Sequence, residues 1–252
     1  IKRLATVAEA FGRGRKMPFL PTGATEVRLA GTAFVDMRNR IERQIETRTL
    51  MLSGVSHDLR TPLTRMRLAL AMLDDDERES LEQDVDEMQG MIDAFLEFSK
   101  GGQATEPEAV AVHTWIKQVV ADCARAEREV SLVHSEGEGT VMLHLGGMRR
   151  ALDNLIGNAA CYGSKAEVSM DLTDKFLRLR VEDDGPGIPE NRRAEAQRPF
   201  TRLDPSRNQD KGGSVGLGLA IATDIARAHG GVLRLGKSER LGGLRVDIVI
   251  AR

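Results

Sequence analysis

Aromatic side chains are scarce in this chain of 252 residues: seven Phe, one Trp and one Tyr make up only 4% of it. With 29% charged and 41% hydrophobic residues beside them, that scarcity argues against one large globular core and for long helices in more than one packed unit. Cysteine is almost missing as well. Cys123 and Cys161 lie far apart and belong to no metal-ligand spacing, which excludes a disulfide framework and fits a reducing compartment with ordinary packing. No apolar run approaches the roughly 18 residues of a membrane span, and the N-terminus does not read as a signal peptide, so the chain as given reads as soluble. A formal net charge of −2 supplies no basic field for nucleic acid. Also absent are the G-x-x-x-x-G-K-S/T phosphate loop and a G-x-G-x-x-G opening a helix after a strand. Any nucleotide site must be built otherwise.

What is present is concentrated first in residues 53–68, SGVSHDLRTPLTRMRL. Ile41, Ile45, Leu52, Val55, Leu59, Leu63, Met66 and Leu70 recur at helical spacing, predicting one long amphipathic helix whose stripe faces other helices. His57 falls between Val55 and Leu59 and, at about 100° per residue, turns outward from both. Thr61 at i+4 shares its face, Asp58 follows it directly and Pro62 stands behind. A lone histidine is most often structural, but this neighbourhood predicts a nucleophilic one. A nucleophile must be neutral, as an ordinary imidazole mostly is at neutral pH.

These residues resemble the H box of the sensor histidine kinases of two-component systems, which reads S-H-D/E-L-R-T-P-L, and they are most similar to its EnvZ-like subtype. The resemblance implies a catalytic set of His57, Asp58, Arg60 and Thr61. In it, His57 takes the γ-phosphoryl group of ATP on a ring nitrogen, and Asp58 orients the ring and accepts its proton. Adjacent helical side chains diverge, which counts against the Asp58 role. Thr61 matches the residue that in this subtype aligns water to dephosphorylate the partner; its other reading is an N-capping hydroxyl before a Pro62 kink.

Upstream, Leu4, Val7, Ala8 and Phe11 form a short helical stripe that Gly12, Gly14, Pro18, Pro21 and Gly23 interrupt. A second helix is expected from Thr25 and Glu26, with Thr25 as N-cap. Phe34, Met37 and Ile41 carry its stripe unbroken into the histidine helix, which predicts one continuous rod. This order resembles a HAMP relay over residues 1–44, the element that follows a membrane span; a plain helical hairpin is the alternative. The HAMP reading makes the chain the cytoplasmic portion of a bacterial inner-membrane receptor, attached to the membrane only through a missing N-terminal span. Downstream, Asp74, Asp75, Asp76 and Glu77 read as a tight turn between helices. Leu81, Val85, Met88, Ile92, Phe95 and Ser99 then follow at coiled-coil spacing. Two such stripes call for a homodimeric four-helix bundle, the DHp domain of residues 45–102. Gly101, Gly102 and the polar stretch to Glu108 read as a linker.

Residues 103–252 change texture. Helical patterns fall at 113–127, 146–162 and 217–229, and strand patterns at 130–134, 140–144, 165–172, 175–182, 231–236 and 243–250, which together predict an α/β sandwich. Asn154 and Asn158 share a helix face beside Tyr162; such amide oxygens suit a hard cation, though helical asparagines are more often caps or surface groups. Asp183-Asp184-Gly185-Pro186-Gly187-Ile188 ends a strand in a tight turn, either as a ligand pocket or as a plain turn. Gly216-Leu217-Gly218-Leu219 opens a helix and offers backbone N–H groups to phosphate.

In order and spacing these segments, with Pro199-Phe200-Thr201-Arg202-Leu203-Asp204 between them, resemble the N, G1, F and G2 boxes of the GHKL (Bergerat) ATP-binding domain. The resemblance implies Mg²⁺ on Asn158, with Asn154 assisting, and adenine read by Asp183. Gly185 and Gly187 then shape the pocket, Gly216, Gly218 and Leu219 cradle phosphate, Tyr162 and Arg202 assist, and a mobile lid covers the site from about Glu190 to Val215. Two departures weaken the implied clamp. Cys161 stands where many relatives carry a basic residue, and Ser214-Val215 replaces the usual start of the G2 box; Lys211, Arg202 or Arg207 are candidate substitutes for the lost charge. The expected protein is a Mg-ATP-dependent histidine kinase that passes phosphate to an OmpR-like response regulator and also acts as its phosphatase. The alternative is a pseudokinase scaffold that no longer binds ATP.

Overall fold

The computed structural model describes residues 1–12, 17–72, 75–99, 106–126, 129–201, 203 and 216–252. The chain divides into two compact units, Ile1–Lys100 and Gly101–Arg252. The division falls at the glycines that read as a linker, but Gly101 and Gly102 themselves lie outside the described residues.

The first unit is helical: α1 (Lys2–Gly12), α2 (Thr25–Leu70) and α3 (Asp75–Ser99). As its unbroken stripe predicts, α2 is one rod of 46 residues, so the expected boundary at residue 44 falls inside a helix and is no structural break. Val7 and Ala10 are buried on α1, and Phe34 of α2 receives the ring edges of Phe11 and Phe19 at centroid distances of 6.1 and 6.4 Å. Between α2 and α3, Leu63, Leu70 and Val85 form a small core that Ile92 joins. Arg60 pairs with Asp93 and Arg67 with Asp86 along its margin.

Two expectations need correction here. Thr25 is not an N-cap: Ala24 holds that position with no side-chain bond, and Thr25 is already helical. The acidic run is not a turn from end to end, because the backbone of Asp75, Asp76 and Glu77 already belongs to α3; Asp74 lies outside the described residues. Of the stripe expected to face other helices, Leu63 and Leu70 are buried, while Ile45, Val55, Leu59 and Met66 are exposed. One helical partner is too narrow to cover a stripe of that width.

The second unit begins with β1 (Glu108–Ala111), which pairs antiparallel with β3 (Thr140–Leu143). The polar linker reading ran through Glu108 and missed this strand; its partner residues lie 29 to 35 positions on, so nothing local marks it. The main sheet has the order β2 (Val130–Glu136), β4 (Ala166–Leu172), β5 (Phe176–Asp183), β7 (Leu244–Ala251), β6 (Val232–Lys237). All its pairs are antiparallel except β2 with β4. Helices α4 (Val112–Arg125), α5 (Leu145–Tyr162) and α7 (Gly218–Ala228) pack on it, and Ile116, Met148, Leu152, Ile156, Met170, Leu179 and Ile248 form a water-free core. This is the expected sandwich.

Alternation along β5 sends Leu177, Leu179 and Val181 into that core and the intervening arginines to the opposite face. There Arg178 meets Asp171 and Arg180 meets Asp247, each a directly opposed cross-strand pair. His229 ties α7 to α5. Its Nδ1–H donates to the Ile225 carbonyl at 2.7 Å, and its Nε2 accepts from the N–H of His144, the N-cap of α5, at 3.0 Å. Burial pushes the His229 imidazole below its ordinary pKa, and the His144 ring 5.0 Å away adds to that against the opposing Ile225 carbonyl.

Candidate active site

His57 sits mid-helix with its side chain 82% exposed, and Nδ1 lies 3.4 Å from Asp58 Oδ1. The outward ring expected from spacing is therefore present, and Asp58 reaches it despite the divergence of neighbouring helical positions. Thr61 is exposed on the same face, one turn along. Because α2 runs straight through Pro62, Thr61 starts no helix, and the capping reading of its hydroxyl fails. Pro62 lacks the N–H that the Asp58 carbonyl would otherwise accept, so the ladder is one bond short beside His57. Arg60 turns away from the ring to Asp93; the bonds from Gln89 and Arg60 hold the Asp93 carboxyl below the ordinary carboxylate range.

The second unit carries an open cleft of about 850 Å³, counted to its mouth, lined among others by Asn158, Tyr162, Asp183, Gly187, Gly216 and Leu219. Segments up to 86 positions apart in the chain, from Asn158 to Leu244, meet there. Asp183, buried at the end of β5, accepts the N–H groups of Gly185 and Leu244, both at 2.9 Å and both on Oδ1. That arrangement leaves Oδ2 for an N–H donor in the cleft. Burial pushes the Asp183 carboxyl up, resisted by those two backbone bonds and reinforced by the charge of Asp184. Asp184 itself is structural. It accepts the Ser164 hydroxyl and the N–H groups of Ser164 and Lys165, which hold its pKa at about 2 and pin the end of α5 to the end of β5.

Asn154 and Asn158 do share one face of α5, and that face meets Gly218. A Cβ at Gly218 would sit 3.0 Å from Asn158 Nδ2, 3.1 Å from its Oδ1 and 3.4 Å from Asn154 Oδ1. Asn154 donates Nδ2 to the Arg150 carbonyl at 2.9 Å, which turns its oxygen toward Gly218; it stands behind Asn158 rather than on the cleft wall. Gly216 has φ +75°, and a side chain there would lie 2.8 Å from the Thr201 carbonyl. It delivers the chain to Gly218, the first residue of α7, so the N–H groups of that helix start, which have no partner within the helix, border the cleft. Gly185 shapes the turn without lining the cleft.

At the start of the expected lid, Glu190–Arg192 form a 3-10 turn and Arg193–Ala196 a short helix, α6, whose Ala196 is buried on the cleft wall. Arg202, Arg207, Lys211, Ser214 and Val215 lie outside the described residues. Sequence reasoning missed Ala196 and Leu244. Both reach the cleft through tertiary packing, and Leu244 does so through the β5–β7 pairing that sets it beside Asp183.

The groups present suit a Mg-bound adenine nucleotide: two hard amide oxygens, a carboxylate oxygen left for an amino group, and a helix start for phosphate. Comparison with known proteins supports the ATP part of this fit. The family described as histidine kinase-, DNA gyrase B-, and HSP90-like ATPase matches residues 145–251, and the His Kinase A (phospho-acceptor) domain matches residues 47–104. The sensor histidine kinase GtrS of Pseudomonas aeruginosa is 35% identical over 254 residues, covering all of this chain and 52% of GtrS. The chain thus spans about half the length of the curated relatives it matches. Full-length ShkA, solved in complex with AMPPNP, shares the fold at TM-score 0.57 and 24% identity, over 79% of this chain and 44% of ShkA. The kinase domain of the Escherichia coli osmosensor EnvZ is 35% identical over 60% of this chain and 91% of that domain, at TM-score 0.46.

Proposed function

The chain belongs to the sensor histidine kinases, and from that premise we propose that His57 is autophosphorylated from Mg-ATP and passes the phosphoryl group to an aspartate of a response regulator. The observation that carries this reading is the exposed ring of His57 with Asp58 at its Nδ1, on the same chain as a cleft that fits an adenine nucleotide. A carboxylate at Nδ1 selects the tautomer with Nδ1–H and a lone pair on Nε2. Nε2 then forms the new N–P bond in line as the bond to the β-phosphate oxygen breaks, and Asp58 takes the Nδ1 proton. Asn158, with Asn154 behind it, would hold Mg²⁺, which supplies charge neutralisation on the phosphates. Asp183 Oδ2 reads the adenine amino group, and the start of α7 holds phosphate.

Residues 1–44 act as the HAMP relay, 45–102 as the DHp domain and 103–252 as the catalytic domain in this reading. The exposed apolar positions Ile45, Val55, Leu59, Met66, Leu81 and Met88 support a homodimer in which a second copy covers them. Thr61 orients the water that dephosphorylates the regulator, an OmpR-like one, and the input arrives from a membrane-anchored sensor. No helix among the described residues is long and apolar enough to cross a membrane.

The test is incubation with radiolabelled ATP and Mg²⁺. Acid-labile, base-stable label that disappears in His57→Ala is expected. Label that survives this substitution, or none in the unaltered chain, overturns the reading in favour of another acceptor or a pseudokinase.

A further inference from the structure

Far along the sheet from the nucleotide cleft, the edge strand β2 carries a cluster that the proposed reaction does not use. His134 Nε2 lies 3.4 Å from Glu136 Oε2 and 3.3 Å from Asp171 Oδ1, and the three donor atoms all fall within 4.8 Å of one another. A fault in strand register creates the cluster. Leu132 pairs with Val168, but the register shifts before the next pair, so His134 faces Ser169 and Glu136 faces Asp171. Without the extra residue His134 would stand opposite Met170, whose side chain is fully buried in the core. The bulge therefore moves His134 and Glu136 together onto the polar face beside Asp171.

The spacing suits a metal better than an ion pair. Charge-assisted N–H···O bonds close to about 2.7–2.9 Å, so 3.3 and 3.4 Å are long for that purpose. Zinc bonds of about 2.0–2.1 Å give a tetrahedral ligand-to-ligand edge of about 3.3–3.4 Å, which is the spacing of His134 from each carboxylate, and the two carboxylate oxygens lie within 4.8 Å of each other. The carboxylate of Asp171 is also held in place: Arg178 donates Nε and Nη2 to Oδ2 at 2.9 and 2.8 Å, leaving Oδ1 for the cluster. One imidazole with two carboxylates selects a borderline cation over Mg²⁺ or Ca²⁺, which prefer all-oxygen sites. His134 and Glu136 are exposed at the sheet edge, with room for a water in the fourth position.

We infer that His134, Glu136 and Asp171 form a surface site for a divalent transition cation of the zinc class, which staples the parallel edge strand β2 to β4. The site is separate from the hard-cation pair Asn154 and Asn158 and does not depend on the kinase reading.

The experiment titrates Zn²⁺ into the whole chain, free of nucleotide and Mg²⁺, against a chromophoric chelator, and compares it with Glu136→Gln and His134→Gln. Saturable uptake at micromolar Zn²⁺ is expected, with one site lost or weakened at least tenfold in each variant. Zn²⁺ should also raise the melting temperature of the second unit in the unaltered chain and not in Glu136→Gln. Because Glu136 projects from an edge strand, that variant keeps the fold, and its metal-free melt verifies this. The proposal is overturned if the unaltered chain takes up no Zn²⁺ in this range, if both variants bind with unchanged stoichiometry and affinity, or if the site is lost only in His57→Ala. Nucleotide affinity unchanged in Glu136→Gln is expected; its loss there would overturn the separation from the cleft.

Discussion

Met148, Leu152, Ile156, Leu179 and Ile248 are wholly out of water in the sheet unit, whereas among the described residues the cluster between α2 and α3 is Leu63, Leu70 and Val85 with Ile92 at its side. The same helices leave Ile45, Val55, Leu59, Met66 and Leu81 exposed. The sheet unit closes its own core by placing helices against a five-stranded sheet. The helical unit sets α1 and α3 against the long rod α2, and these surfaces leave much of its apolar stripe uncovered. On the proposed reading this divides the labour: the sheet unit holds the nucleotide groups, and the helix pair presents the acceptor histidine with an apolar face left for a second copy.

The largest expected effect separates the two units by chemistry. His57→Ala should reduce incorporated label to background while nucleotide affinity, followed with a fluorescent ATP analogue, stays within about twofold. If affinity falls along with the label, the two sites are not independent.

Asp183→Asn should do the reverse. The replaced carboxylate still accepts from Gly185 and Leu244 at one oxygen, but presents an NH₂ where an acceptor stood. A lost hydrogen bond with a buried donor left unpaired costs about 2–3 kcal/mol, so affinity for ATP should fall about a hundredfold. Equal binding by the variant would remove Asp183 from adenine recognition.

Leu63→Ala tests the thinness of the helical core. Truncating a buried leucine costs about 2–5 kcal/mol, and partial exposure of the neighbours favours the low end. In a calorimetric scan the transition of the helical unit should move down and that of the sheet unit should stay. A single transition that moves as a whole would show the units to be one cooperative block.

The smallest effect belongs to pH. His229 has a lowered folded pKa, so over the window below its unfolded value the unfolded chain binds more protons. Stability of the sheet unit should therefore fall as pH drops from 7 toward 5, with no matching change in the helical unit. Circular dichroism melts across that range check it, and His229→Gln should flatten the slope.

Much of this molecule was legible before its coordinates. His57 outward, α2 as one rod, Asn154 with Asn158 on one helix face and the glycines before α7 all follow from spacings of two to four residues. The failures are equally particular. Thr25 has the residue type of a cap without the position. Strand β1 depends on a partner from another part of the chain. Asp184, the neighbour of Asp183 in one motif, has a different task because Ser164 lies against it.

Sequence alone determined the long helices, the strands of the main sheet, the outward position of His57 and the shared face of Asn154 and Asn158, since helical and strand periods act over a few positions. Tertiary structure decided which oxygen of Asp183 is left for a ligand, that Leu244 braces it, and that a bulge in β2 gathers His134, Glu136 and Asp171. Those outcomes depend on pairing between distant strands, where a shift of one residue exchanges core for surface.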